Sequence, residues 1–184
     1  MTGVRRRAVL ACCAALLALH GCGDDGPPPP PEHPPPARPG SAYFVGTGED
    51  GVGATLDLEG QDPVTEAVDA ALRARDGAVG EGPVVGVASV VNEGPGVVPA
   101  PTFIAQFEGG GALALEDARA VVAESGGPAA RRALRLLGRP SVLVPAGGAD
   151  TIYVVLRGAA PGEVDAVRMV VGPGRIVMLQ ARPR

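Results

Sequence analysis

The sequence contains no lysine and no tryptophan, and it has only two histidines and three cysteines among 184 residues. All five of these residues lie before residue 41, with His20 and Cys22 close together and His33 in a proline-rich stretch. Residues 41–184 therefore cannot form a Ser-His-Asp triad, a Cys-His pair, a disulfide or an ordinary zinc site. We assign them no catalytic, cofactor-binding or metal-binding residue.

Aromatic residues are also scarce, at 3% of the sequence. Sugar-binding surfaces and the stacking surfaces that read single-stranded nucleic acid both depend on exposed aromatic side chains. The five aromatic residues lie in predicted strands, where we expect them to pack in the core: Tyr43, Phe44, Phe103, Phe107 and Tyr153. Their scarcity argues against a carbohydrate-binding or nucleic-acid-binding module.

The first 21 residues have the pattern of a signal peptide. Arg5, Arg6 and Arg7 precede the uncharged segment Ala8–Leu19, whose 12 residues are too few to cross a bilayer core comfortably as a helix. Loss of this leader would leave 13 arginines against 20 acidic residues, a net charge of −7. A domain with that net charge has no overall electrostatic attraction to nucleic acid or to anionic lipids.

The leader ends in Leu19-His20-Gly21-Cys22, which resembles the lipobox of bacterial lipoproteins. The resemblance implies that Cys22 receives a diacylglycerol and becomes the first residue of the mature chain, held to the membrane by acyl chains such as palmitate. His20 departs from the small or aliphatic residue that is usual at its position. The alternatives are an ordinary secretory signal or an uncleaved anchor.

Residues 22–40 contain nine prolines and should form a disordered, semi-rigid polyproline spacer of up to roughly 50 Å. The alternative for such a stretch is a ligand for SH3-like grooves, which is improbable outside the cytoplasm. We therefore divide the chain into a helical signal peptide (1–21), a lipidated Cys and tether (22–40) and one β-rich domain (41–184).

Most of the domain is expected to form short strands between turns rich in Gly and Pro. The strands predicted from alternating apolar residues are Tyr43–Val45, Ala54–Leu58, Val84–Val91, Val97–Glu108, Ala112–Glu124, Ser141–Val144, Thr151–Arg157, Val164–Val171 and Arg175–Gln180. Two helices should interrupt them. Asp62 as N-cap and Pro63 begin the helix over 63–76, and the other helix runs over 128–137.

This pattern favours an antiparallel β-sandwich. The segment from Val87 to Phe107, with its Asn92-Glu93-Gly94 turn, resembles the first hairpin of bacterial immunoglobulin-like domains related to cell adhesion. The segment from Val144 to Leu156 is similar to the loop-then-strand part of the same domains. The resemblance covers roughly residues 83–180 and implies a non-catalytic domain that binds or spaces.

Three motifs in the domain could carry a function. Gly46-Thr47-Gly48-Glu49-Asp50-Gly51 has the letters of a dinucleotide-binding loop, but a strand follows instead of the required helix, so a hairpin turn is expected. Asp57, Glu59 and Asp62 could bind calcium or act as acid and base, or they could be a solvated face and a helix cap. Arg131, Arg132, Arg135 and Arg139 form a basic row that could be plain solvated surface, or could meet the domain's own carboxylates or an acidic partner.

The sequence thus predicts a non-enzymatic, membrane-anchored envelope lipoprotein that docks another envelope protein. The alternative is a carboxylate-dependent enzyme or a calcium-binding module. The predicted location is the periplasmic face of the outer membrane, if the organism has one, and otherwise the outer face of the cell membrane.

Overall fold

The structure is a computed structural model that describes residues 42–76 and 82–183. The signal peptide, Cys22 and the proline-rich tether lie outside the described residues. The described residues contain ten strands: β1 (Tyr43–Thr47), β2 (Val52–Asp57), β3 (Val84–Asn92), β4 (Val98–Pro99), β5 (Thr102–Phe107), β6 (Ala112–Asp117), β7 (Leu143–Val144), β8 (Gly148–Leu156), β9 (Val164–Gly172) and β10 (Arg175–Ala181). The helices are α1 (Pro63–Asp76), α2 (Ala118–Ser125) and α3 (Gly127–Leu137).

Eight of the strands form a closed antiparallel barrel in the order β1-β10-β9-β5-β6-β8-β3-β2. The prediction of an immunoglobulin-like sandwich is therefore wrong. Closure depends on β1, which pairs with β2 on one side and with β10 on the other, through Phe44↔Ala181 and Val45↔Gln180. Strands with alternating apolar residues are equally compatible with a sandwich and with a barrel. The pairing of the first strand with the last, which closes the barrel, has no local signal in the sequence.

The resemblance to an immunoglobulin-like hairpin also fails at the level of pairing. The Asn92-Glu93-Gly94 turn follows β3 as expected, but β3 pairs with β2 and β8, while β5 pairs with β6 and β9. The two strands that should form the hairpin are therefore not neighbours. Pro99 and Pro101 break the predicted strand 97–108 into β4 and β5, and β4 leaves the barrel to pair with β7.

Asn92 holds this two-stranded ribbon, β4 and β7, against the barrel. Its side chain is fully buried, and its Nδ2 donates to the carbonyl oxygens of Gly96 (2.8 Å), Val144 (3.1 Å) and Pro145 (3.1 Å). Its Oδ1 accepts from the amide of Gly94. A buried amide of this kind is stable only when its donors and acceptors are matched, so Asn92 fixes the position of the ribbon.

The barrel interior is the main core, built from large apolar residues such as Phe44, Leu56, Phe103 and Met169. A second core lies outside the barrel, where α1, α2 and α3 cover Val85 of β3 and Val155 of β8. Every strand pair lies within residues 43–181, and both cores lie within residues 42–181. The described barrel and its two cores are thus formed by residues 42–181.

The predicted helices over 63–76 and 128–137 are present, as α1 over Pro63–Asp76 and α3 over Gly127–Leu137. The third was missed, because the predicted strand 112–124 ends at Asp117 and continues as α2. Asp117 makes this change of structure possible, since its Oδ1 accepts from the amides of Arg119 (2.7 Å) and Ala120 (3.0 Å) as an N-cap.

Candidate functional site

The outer face of α3 carries the basic row predicted from the sequence. Ala130 and Ala133 face the second core, whereas Arg131, Arg132 and Arg135 lie on the opposite, exposed side of the helix. Gly138, at φ +66°, ends the helix, and Arg139 follows it, also exposed. These four residues are called the arginine row below.

None of the four arginines makes a hydrogen bond or ion pair with any described residue. Four other arginines are paired with carboxylates, namely Arg73 with Asp69, Arg75 with Asp76 and Glu124, Arg157 with Glu116 and Asp76, and Arg175 with Asp50. The idea that the row meets the domain's own carboxylates is therefore wrong within the described part of the chain. The two remaining interpretations of the arginine row are a plain solvated surface and a binding site for an acidic partner.

The ribbon formed by β4 and β7 exposes apolar side chains. Val98 and Val144 face the barrel core and are almost fully buried. On the other side, Val97 is 59% exposed and Leu143 57%, while Val142 at the start of the ribbon is 69% exposed. These three residues are called the ribbon patch.

A small cavity of about 170 Å³ lies between Arg139 of the arginine row and the residues that follow β4. It lies where β6 separates from β8, because these two strands pair only through Glu116↔Val155 and Asp117↔Val154. Leu137, Arg139 and Pro140, after α3, line one side, and Ala100 and Pro101, after β4, line another. Arg139, the last residue of the arginine row, therefore lies beside the segment that leads into the ribbon, with Val142 three residues farther along the chain.

Arg119 fixes the end of α3 beside this cavity. Its guanidinium donates to the carbonyl oxygen of Leu134 (3.4 Å) and to that of Gly138. A cation at the last carbonyls of a helix is favourable, since these groups have no partner within the helix. Arg119 thus has a structural role that the arginine row does not share.

The three predicted carboxylates do not form one site. Asp57 and Glu59 line a wide groove of about 890 Å³ beside α1, with Glu66 and Asp69 of that helix. Asp62 points elsewhere: its Oδ1 accepts from the amides of Val64 and Thr65, each at 2.7 Å. Within residues 42–76 and 82–183, no three Asp, Glu, His or Cys side chains are close enough to hold a metal ion together.

The second oxygen of Asp62 accepts from the Tyr153 hydroxyl of β8, at 3.1 Å. Burial of the hydroxyl, assisted by this hydrogen bond to a carboxylate, raises the pKa of Tyr153 to about 12. The pair connects the N-terminus of α1 to the barrel wall. Asp62 is therefore the N-cap of α1, as the sequence predicted. It is also an anchor that joins α1 to the barrel, which the sequence did not predict.

The glycine-rich motif at 46–51 is the β1–β2 turn, as predicted. Gly51 has a φ of +78° and donates to the carbonyl oxygen of Gly48, and β2 follows directly. Arg175 pairs with Asp50 of this turn and holds the pKa of the Asp50 carboxyl below its ordinary value. No helix follows the motif to bind a pyrophosphate.

A second exposed surface was not expected from the sequence. On the outer side of the barrel, Met178, Arg168 and Ile104 lie in one row across β10, β9 and β5. Met178 is 40% exposed, and the Nε of Arg168 is buried without a hydrogen-bond partner. Of these three side chains, Arg168 alone carries a charge.

In comparisons with known proteins, no family model, no curated protein and no solved structure matched the chain. Across residues 42–76 and 82–183, no helix has the length and apolar character needed to cross a membrane. The fold and the surfaces described above are therefore the basis for a functional proposal.

Proposed function

We propose that this chain is a membrane-anchored envelope lipoprotein, non-enzymatic in type, whose barrel domain docks another envelope protein. The observation that carries the anchor is the leader with its Leu19-His20-Gly21-Cys22 end. Two acyl chains hold a protein stably at a membrane, since each buried CH₂ contributes about 0.8 kcal/mol. In this proposal, Cys22 bears these chains and residues 23–40 hold the domain away from the surface.

The docking part of the proposal is supported by the charge distribution of the domain. Four arginines of one short segment have no partner among the described residues, although the chain as a whole is acidic. Charges that contribute no ion pair to the fold are available to a second molecule. The adjoining ribbon patch adds exposed apolar area, as in the central part of many protein interfaces.

The location follows from the anchor. We place the domain at the periplasmic face of the outer membrane if the organism has one, and otherwise at the outer face of the cell membrane. The alternative of a calcium-binding module or a carboxylate-dependent enzyme has less support, because Asp62 uses both carboxylate oxygens within the fold.

The anchor is tested by labelling cells with radioactive palmitate and isolating the protein. We expect label in the native protein and in a Cys12→Ser, Cys13→Ser variant, which is the matched control because both changes lie in the leader. We expect no label in Cys22→Ser. Label that persists in Cys22→Ser, or a native N-terminus other than residue 22, would contradict the proposal.

A further inference from the structure

We infer that the arginine row and the ribbon patch together form the docking surface, and that the partner is a protein presenting acidic side chains beside an apolar contact. This inference rests on the proposed function and specifies the surface and the partner's chemistry. Arg131, Arg132, Arg135 and Arg139 supply the charge, and Val97, Val142 and Leu143 supply the apolar area.

Charge is the first argument for an acidic partner. The fold leaves these four arginines exposed and unpaired, while Arg73, Arg75, Arg157 and Arg175 are neutralised by carboxylates. A two-fold contact whose axis passes through the row would place one arginine row against the other, and their repulsion disfavours such a dimer. An acidic partner removes that repulsion and is attracted over a Debye length of about 8–10 Å.

A second feature is the position of the ribbon along the barrel wall. Tyr43 is the first residue of β1. It pairs with Asp57 of β2, and Asp57 pairs in turn with Val87 of β3. Asn92, where the ribbon attaches, lies five residues farther along β3, or about 17 Å at the ordinary rise of a strand. The ribbon thus lies at the Asn92 end of β3, away from the level of the barrel at which Tyr43 begins β1.

Neighbouring side chains also indicate a built surface. Leu136 of α3 is 44% exposed next to Arg132 and Arg135, and Leu137 and Arg139 share the small cavity with Pro101. Apolar side chains surrounded by arginines are typical of interface centres, where arginine is enriched and lysine depleted. The cavity offers a partner side chain a recess between the row and the ribbon.

The test is site-specific photo-crosslinking in intact cells that produce the full-length chain. Benzoylphenylalanine is placed at Leu136, at Val142, and at Met178 as the matched control, which is 40% exposed on the other surface. We expect a discrete protein adduct from the first two positions and at least about tenfold less from Met178. The adduct should carry an acidic segment at the crosslinked site, identified by mass spectrometry.

A charge variant makes the test specific. Arg131→Gln, Arg132→Gln and Arg135→Gln together should lower the adduct yield at Val142 by about tenfold or more. Arg73→Gln, Arg75→Gln and Arg175→Gln remove the same charge from arginines that are already paired, so the yield should remain within about twofold. A thermal melt of each variant checks that it folds.

Several results would overturn the inference. They are equal yields at all three positions, an adduct insensitive to the arginine changes, an adduct of twice the chain's own mass, or adducts with lipid alone. If Met178 captures a protein and the other positions do not, docking stands and the surface is wrong. If no position captures a protein while Cys22 is acylated, the docking function fails and the anchor stands.

Discussion

The helices α1 and α3 pack against each other on the same side of the barrel, yet they differ in how their polar groups are used. The start of α1 is capped by Asp62 and fixed to Tyr153, and its arginines are paired with carboxylates. The N-cap of α3 is Gly126, which makes no side-chain cap hydrogen bond, and the outer arginines of α3 are unpaired among the described residues. The polar groups of α1 serve the fold, whereas those of α3 remain available for binding.

The largest effect should come from the apolar residues of the two helices. Leu72 of α1 is fully buried, so Leu72→Ala should lower the free energy of unfolding by about 2–5 kcal/mol. Leu136→Ala in α3 is the control and should change it by no more than about 0.5 kcal/mol, because this side chain is 44% exposed. Urea titration followed by circular dichroism measures both, and similar losses would remove the distinction between the helices.

The cap of α1 should give the next largest effect. Asp62→Ala leaves two helix amides and the Tyr153 hydroxyl without their acceptor, so we expect a loss of about 1–2 kcal/mol in the free energy of unfolding. Asp69→Ala, in the same helix, removes only an exposed pair with Arg73 and should cost less than about 1 kcal/mol. Equal losses in the two variants would show that Asp62 does not anchor α1.

Local signals such as this cap explain which parts of the fold the sequence predicts. Asp62 and Pro63 mark the start of α1 within two adjacent residues, and Gly138 marks the end of α3. The expectation that Phe103 packs in the core is likewise confirmed, because this side chain is buried in β5. These features depend only on neighbouring residues, so the sequence is sufficient for them.

The closed barrel and the interaction surface depend on residues distant in sequence. Phe44 and Ala181 are paired although they lie near opposite ends of the domain, and nothing in their surroundings selects the barrel over a sandwich. Similarly, Val142 and Leu143 read as an ordinary strand, and their exposure follows from the pairing of β7 with β4 outside the barrel. The prolines that isolate β4 were a usable signal, because proline disfavours an inner strand.

The hydrogen bond between α1 and the barrel should be visible in the pH dependence of stability. The pKa of Tyr153 is about 12 in the fold against 10.0 in the unfolded chain, so the unfolded state loses its proton first. This contribution to the free energy of unfolding is complete below pH 10 and is lost as the pH rises from about 10 to 12. Tyr153→Phe should lose this slope and about 1 kcal/mol at neutral pH.

The test is urea unfolding from pH 7 to 12 for both proteins. The difference in stability between them should shrink as the pH rises through the window set by the two pKa values. A constant difference across that window would mean that the Tyr153 hydroxyl is not protected by Asp62 and by burial. Asp62→Asn keeps a cap oxygen and serves as the control that separates helix capping from the effect of charge.

The arginine row should make almost no contribution to stability, in contrast to the cap of α1. Arg131→Gln and Arg135→Gln together should change the free energy of unfolding by less than about 0.5 kcal/mol, because neither side chain has a partner in the described fold. The arginines of the row could then bind a partner without any loss in the free energy of unfolding. A loss of 2 kcal/mol or more would instead give the row a structural role and weaken the docking inference.

The smallest expected effect is that of calcium on the groove beside α1. Addition of 1 mM calcium to residues 41–184 should leave the Tm unchanged, because Asp62 is committed to the α1 cap and no three described carboxylates come together. A site filled at 100 times its dissociation constant would add about 2.7 kcal/mol, which would raise the Tm by several degrees. A rise of that size that disappears in Asp57→Asn, Glu59→Gln would favour the calcium-binding alternative and would turn the groove beside α1, not α3, into the binding region of the molecule.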